Sequence, residues 1–231
     1  MSITENVKRI KADIARAAIA AGRNPEDIIL CAATKMNDAT AVREAIAAGV
    51  DCCGENRVQE LMQKQSQNAY EGAPVHFIGH LQTNKVKQVV GKVDLIQSVD
   101  SLRLLKAINA EAAKQGIVQN ILLEVNVGQE ESKSGFEVSE VLSILEQISE
   151  FPHIFVRGLM AIPPISQNSG DNRKYFQKIL QLSVDIRAKK YDNVLVNCLS
   201  MGMSDDYEDA ICCGSTMIRV GTAIFGKRNY A

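Results

Sequence analysis

Eight short apolar runs, separated for the most part by longer stretches with helical periodicity, set the tightest limit on what this chain can fold into. They are residues 27–34 (DIILCAAT), 50–54 (VDCCG), 75–80 (VHFIGH), 93–99 (VDLIQSV), 120–127 (NILLEVNV), 154–160 (IFVRGLM), 194–200 (VLVNCLS) and 216–226 (TMIRVGTAIFG). Most of their positions are apolar instead of alternating with polar ones, the mark of parallel strands covered on both faces. Between them, DATAVREAIAAG carries Val42, Ala45 and Ile46 and offers Gly49 as a C-cap, and SLRLLKAINAEAAKQG ends in the same way at Gly116. A further helix opens near Ser139 in VSEVLSILEQISE, and NRKYFQKILQLSVDIRAKK places Phe176, Ile179, Leu180, Leu182 and Ile186 mostly along one face. Strand and helix alternating in this way over 231 residues predict a single-domain (β/α)8 barrel spanning 1–231, slightly shorter than the ~250 residues usual for that fold. An open doubly wound sheet is the alternative, because pattern alone does not reveal closure. At the N-terminus, Ile3, Val7, Ile10 and Ile14 recur every three or four positions and add an extra amphipathic helix before the first strand.

Composition removes several function classes. The 26 basic and 27 acidic residues leave a net charge of -1, which argues against a nucleic-acid surface or a polybasic membrane anchor. Tryptophan is absent and aromatics make up 5%, too few for a base-stacking platform. No apolar run reaches membrane length and no signal-peptide core is present, so a cytoplasmic protein is expected. The six cysteines, Cys31, Cys52, Cys53, Cys198, Cys212 and Cys213, include no C-x2-C pair. They are expected to be reduced and packed as small hydrophobes, with neither a disulfide framework nor a metal site. The stretch 162–172 (IPPISQNSGDN) reads as a long polar surface loop after the sixth strand.

In a parallel barrel, chemistry collects where strands end and the following loops begin. Lys35 follows the first run, directly after Ala32-Ala33-Thr34. An isolated lysine there often reaches past apolar neighbours to solvent. The loops after the seventh and eighth strands, LSMGMSDD and RVGTAIFG, supply Ser200, Gly202, Ser204, Gly221 and Thr222. These small residues let backbone N–H groups approach a ligand, a helix is expected to begin near Asp205, and phosphate sites of such barrels lie typically after strands seven and eight. Turn glycines and helix-capping serines are the plainer reading of the same loops. Arg219 adds a fixed cation. Desolvation favours the free amine of a lysine, the form that attacks aldehydes. A nucleophilic amine opposite a phosphate cradle suits a phosphorylated aldehyde, and pyridoxal 5'-phosphate (PLP) meets that description, held as a Schiff base. Asn56 reaches the same rim from strand two, though a helix N-cap accounts for it as well. His80 reads as solvated, and Lys133 is a candidate for touching cofactor or partner.

Read together, AATK, GENRVQE, HFIGHLQTNK, SVDS, VNVGQEESKSG, GLMAIPP, LSMGMSDDYEDAI and GSTMIRVGTAIFGKRNY span residues 32 to 230. In that order they resemble the pyridoxal phosphate homeostasis protein family. The resemblance implies a barrel like the N-terminal domain of alanine racemase, with PLP on Lys35. It implies that Ser200 or Ser204, with Gly221 and Thr222, holds the phosphate, and that Arg219 faces the pyridine nitrogen and keeps it unprotonated. It further implies a role in intracellular PLP homeostasis, with PLP-requiring apo-enzymes as recipients and no catalytic residues; a monomer is expected from the lack of an obvious apolar patch and of an expected second domain. One departure is Met36-Asn37-Asp38, where the family commonly has Thr and a nearby Pro, which bears on the shape of the first loop. The alternative function is a PLP-dependent amino-acid racemase. That reaction needs acid–base groups on both faces of the substrate; Tyr207 and Tyr230 are the nearest candidates for the second, and no second domain is expected to follow the barrel. A third reading is a barrel that binds another phosphorylated metabolite without a Schiff base.

Overall fold

Each apolar run of the sequence becomes a strand, and the strands close on themselves. In the computed structural model, which describes residues 1–130, 133–165 and 168–226, the strands are β1 (Ile29–Ala33), β2 (Cys52–Glu55), β3 (Val75–Phe77), β4 (Leu95–Val99), β5 (Gln119–Val125), β6 (Ile154–Ala161), β7 (Val194–Ser200) and β8 (Met217–Val220). They form a closed barrel in chain order. Parallel pairing of β8 with β1, through Leu30–Ile218 and Cys31–Arg219, excludes the open sheet. The intervening helices are α2 (Ala39–Ala47), α3 (Val58–Ser66), α4 (Leu102–Gln115), α5 (Val138–Glu146), α6 (Arg173–Ala188), α7 (Tyr207–Cys212) and α8 (Thr222–Phe225). Between β3 and β4 a 3-10 helix over Thr83–Gln88 replaces the α-helix. This fold is the (β/α)8 barrel that the alternation predicts.

The two faces of the strands separate as a period of two requires. One set, including Phe77, Ile96, Ile121, Leu123 and Val156, packs outward beneath the helices. The other fills the barrel interior with Cys31, Cys52, Leu95, Leu122, Met160, Cys198 and Met217. Gly158 permits the close approach of β6 to β7: its φ is +153°, and a Cβ there would lie 1.8 Å from the Cys198 carbonyl oxygen.

The added N-terminal helix, α1 (Ile3–Ala20), opens with a capping box. Ser2 Oγ accepts from the Glu5 N–H at 3.2 Å, and Glu5 Oε2 accepts from the Ser2 N–H at 2.8 Å. Its buried face, Val7, Ile10, Ile14, Ala17 and Ala18, packs with Leu30 and Ala32 of β1, Ile218 and Val220 of β8, and Ile224 of α8. Asn6 Nδ2 donates to the Ile224 carbonyl at 2.9 Å. The helix therefore fixes α8, which lies at the barrel mouth.

The run at 216–226 predicts a longer strand than forms. The strand ends at Val220, and Thr222–Phe225 turns into α8. A short apolar run does not distinguish a strand from a buried helical turn. No helix among the described residues is long and apolar enough to cross a membrane.

Candidate functional site

The first loop is held from below by buried charge. Lys35 is half-buried in the turn after β1. The preceding residue, Thr34, is fully buried and donates from Oγ1 to Glu55 Oε1 at 2.5 Å. Lys64 Nζ reaches both the Thr34 carbonyl at 2.7 Å and Glu55 Oε1 at 2.5 Å, and Tyr70 OH donates to the same carboxylate oxygen at 3.0 Å. Burial first, then the Glu55 charge, pushes the Tyr70 phenol far up, so it stays a donor. Charge-assisted bonds of this kind are short and directional, and they fix the backbone from which Lys35 springs. The departure at Met36-Asn37-Asp38 has a local logic. Met36 adopts φ +63° and donates its N–H to Glu60 Oε2 at 2.6 Å. Asn37 Nδ2 donates to the Lys35 carbonyl at 3.0 Å, and Asp38 Oδ1 caps α2 through the Ala41 N–H at 2.8 Å.

Arg219, 4% exposed, is the fixed cation of the interior. Its Nη1 donates to the Ser200 carbonyl and Oγ, both at 2.6 Å, and Nη2 donates to the Ala161 carbonyl at 2.9 Å. Burial lowers its pKa, while the Cys31, Glu124 and Asp206 side chains oppose that shift. Ser200 Oγ donates onward to Gln97 Oε1 at 2.6 Å. The Ser200 hydroxyl is thus engaged inside the barrel between Arg219 and Gln97. Ser204 stands elsewhere, where its Oγ accepts from the Ala223 N–H at 3.3 Å in the first turn of α8. Gly221 and Thr222 open that turn. Of the two serines read from the sequence, Ser204 accompanies Gly221 and Thr222, and Ser200 accompanies Arg219. Gly202, φ +95°, makes the bend between them; a Cβ there would meet the Ala210 side chain at 2.6 Å. The helix expected near Asp205 begins at Tyr207 and is short.

Across the mouth, the ends of β2, β3, β5 and β6 surround a cavity of about 300 Å³ that includes Asn56, Gly79, His80, Glu124 and Lys133. An adjoining cavity of about 570 Å³ shares Lys133 and Ile162 and extends over Pro163, Met203 and Asp205. Asn56 Oδ1 is buried without a hydrogen-bond partner, an uncommon condition for a buried polar atom. Lys133 pairs with Glu130 and donates to the Pro163 carbonyl at 3.1 Å. His80, its side chain 61% exposed, lies 3.0 Å from Asp100. Glu124 is a site residue that the sequence reading passed over: burial, then the Asp100 charge, pushes its carboxyl up to about 7, against the pull of Arg219 and His80. Its signal was available as the single carboxylate in NILLEVNV.

Tyr207 is engaged beneath α1. Its hydroxyl donates to Asp13 Oδ2 at 3.1 Å, and its ring packs in the cluster beneath α1. Tyr230 lies outside the described residues, as do parts of the 162–172 loop and of VNVGQEESKSG. The six cysteines are free and all but Cys212 are buried; Cys31, Cys52 and His76, from adjacent strands, converge inside the barrel.

Residues 3–229 match the model of the alanine racemase N-terminal domain family. The pyridoxal phosphate homeostasis protein of Aquifex aeolicus is 42% identical over 100% of this chain and 100% of its own. The protein of that name from Escherichia coli K12 is 38% identical over 99% of this chain and 98% of its own. The solved structure of Synechococcus elongatus PipY with PLP bound superposes with a TM-score of 0.80 at 32% identity, covering 92% of this chain and 100% of that one. The chain belongs to the alanine racemase N-terminal domain family and, within it, to the pyridoxal phosphate homeostasis proteins.

Proposed function

We propose that this protein binds PLP at the barrel mouth, with Lys35 as the covalent anchor, and serves PLP homeostasis instead of catalysing a reaction of its own. The observation that carries the reading is a juxtaposition. Lys35 leaves the end of β1, the Gly221–Thr222 turn leaves the end of its neighbour β8, and Arg219 lies on β8 beside β1. When bound, PLP supplies an aldehyde that condenses with an amine, a phosphate and a ring nitrogen. The residues present fit those groups. Lys35 meets the aldehyde end. Ser204 and the first turn of α8 offer a hydroxyl and N–H groups of the kind helix starts leave unsatisfied, and Gly221 and Thr222 bring that backbone within reach of the phosphate. Asn56 offers a buried oxygen without a partner. Arg219, tied down by three hydrogen bonds, keeps a proton off the ring nitrogen, since a second positive charge beside it is repelled. Ser200 acts here through Arg219.

Support for binding also comes from PipY, solved with PLP bound, and from the homeostasis proteins whose sequences this chain shares. Against racemisation stands the engagement of Tyr207 with Asp13, which removes a candidate second base. In this reading the protein works in the cytoplasm as a monomer and hands PLP to apo-enzymes that require it. The test is an absorption spectrum after PLP addition. Wild type gains a visible band that Lys35→Ala lacks, and the holo-protein incubated with single amino-acid enantiomers gives no turnover at enzyme-like rates. A colourless wild-type protein favours a different phosphorylated ligand, and rapid racemisation removes the homeostasis reading in its non-catalytic form.

A further inference from the structure

Below the mouth, three adjacent strands bring soft donors together. Cys31 of β1, Cys52 of β2 and His76 of β3 are all buried, and their donor atoms all lie within 4.8 Å of one another. Cys31 and Cys52 are direct partners in the β1–β2 ladder, so their side chains leave the sheet on one face. Cys52 Sγ is 3.6 Å from His76 Nδ1. That is the sulfur-to-nitrogen edge of a tetrahedral site with metal–sulfur bonds of ~2.3 Å and metal–nitrogen bonds of ~2.0–2.1 Å. More sulfur surrounds the group, from Met160, Cys198 and Met217. Cys31 lies four residues before Lys35 and two before the end of β1.

The cluster has polar neighbours on one side. His76 Nδ1 meets Cys52 Sγ and also Gln97 Nε2, the latter at 2.9 Å. A neutral imidazole nitrogen offers either one lone pair or one proton, so Nδ1 serves one of these two neighbours at a time. The local charge suits a bound cation. Arg219 is the ladder partner of Cys31 on β8, and a site of two thiolates with a monovalent or divalent ion is anionic or neutral beside it.

We propose that Cys31, Cys52 and His76 form a site inside the barrel for one thiophilic closed-shell metal ion, of the Cu+ or Zn2+ class. Two metal–sulfur bonds and one metal–nitrogen bond form, the protons of two thiols go to solvent, and no electron moves. Thiolate and imidazole together favour these two ions. The sulfur-rich surroundings add polarisable neighbours and no hard oxygen ligand.

The test uses reduced, full-length protein without PLP, titrated in separate anaerobic arms with Cu+ and with Zn2+ against a chromophoric chelator. One equivalent binds in at least one arm, and the tighter arm identifies the ion. X-ray absorption of the loaded protein shows a shell of two sulfurs and one nitrogen. Cys31→Ala and Cys52→Ala weaken binding beyond the 10–100-fold that outer-shell partners are worth, whereas Cys212→Ala, at an exposed thiol, leaves it unchanged. If either buried variant does not fold, the ligand shell of wild type decides. Failure to bind in both arms, a shell without two sulfurs, or binding lost in Cys212→Ala and kept in Cys31→Ala overturns the proposal.

Discussion

Two carboxylates show how single residues set the properties of the mouth. Glu124 is buried at the end of β5, and its folded-state pKa of about 7 exceeds the ordinary 4.5. The folded protein therefore binds its proton more tightly than the unfolded chain does. Stability is fully present below the unfolded value and falls as pH rises from about 4.5 through about 7. The loss amounts to roughly 3 kcal/mol at most, from ~1.4 kcal/mol per unit. Urea unfolding of the apo-protein tests this: Glu124→Gln should match wild type near pH 4.5 and exceed it at pH 8. Equal stabilities at pH 8 would contradict the assignment. Glu55 is a second buried carboxylate, 0% exposed, held by Lys64, Thr34 and Tyr70. Lys64→Met strands that charge and should cost about 3–5 kcal/mol by denaturant unfolding, much of it recovered in the Glu55→Gln/Lys64→Met double variant. A single variant as stable as wild type would show that the network does not brace the first loop. Neither network was legible in GENRVQE or in the apolar strand five, because each depends on partners remote in sequence. Lys35 was legible, since its position after an apolar strand needs no distant partner to be noticed.

Among elements, strands were read more securely than their ends. β6 and β7 form close to where their apolar runs lie, because a fully buried strand needs little besides apolar side chains. β8 was overextended because nothing in TAIF separates a strand from the turn of helix that Gly221 starts. The register irregularity of β5 and β6 near Gly158 was also hidden, although it is among the tightest points of the barrel. Gly158→Ala places a methyl group against the Cys198 carbonyl at 1.8 Å, where backbone on both sides resists movement. It should destabilise the protein by at least ~2–3 kcal/mol, measured as a lowered thermal midpoint. An unchanged midpoint would mean that the β6–β7 contact relaxes freely.

At the scale of the molecule, the barrel accounts for the site through closure. Pairing of β8 with β1 brings Arg219 and the α8 turn beside the strand that carries Lys35. The added helix α1 then presses on α8 through Ile10, Ile224 and the Asn6 hydrogen bond. Its amphipathic spacing was legible, but its place against α8 was not, since periodicity reports a buried face and not the surface that covers it. Ile10→Ala, at a fully buried position, should cost about 2–5 kcal/mol and weaken PLP binding more than a comparable truncation at Ile108 in α4. Equal effects on binding would separate α1 from the mouth.

The central claim is that one amine at the end of β1 takes the aldehyde. Borohydride reduction of the PLP-loaded protein, followed by peptide mass spectrometry, should find the phosphopyridoxyl adduct on Lys35. An adduct on another lysine, or none, would contradict the account.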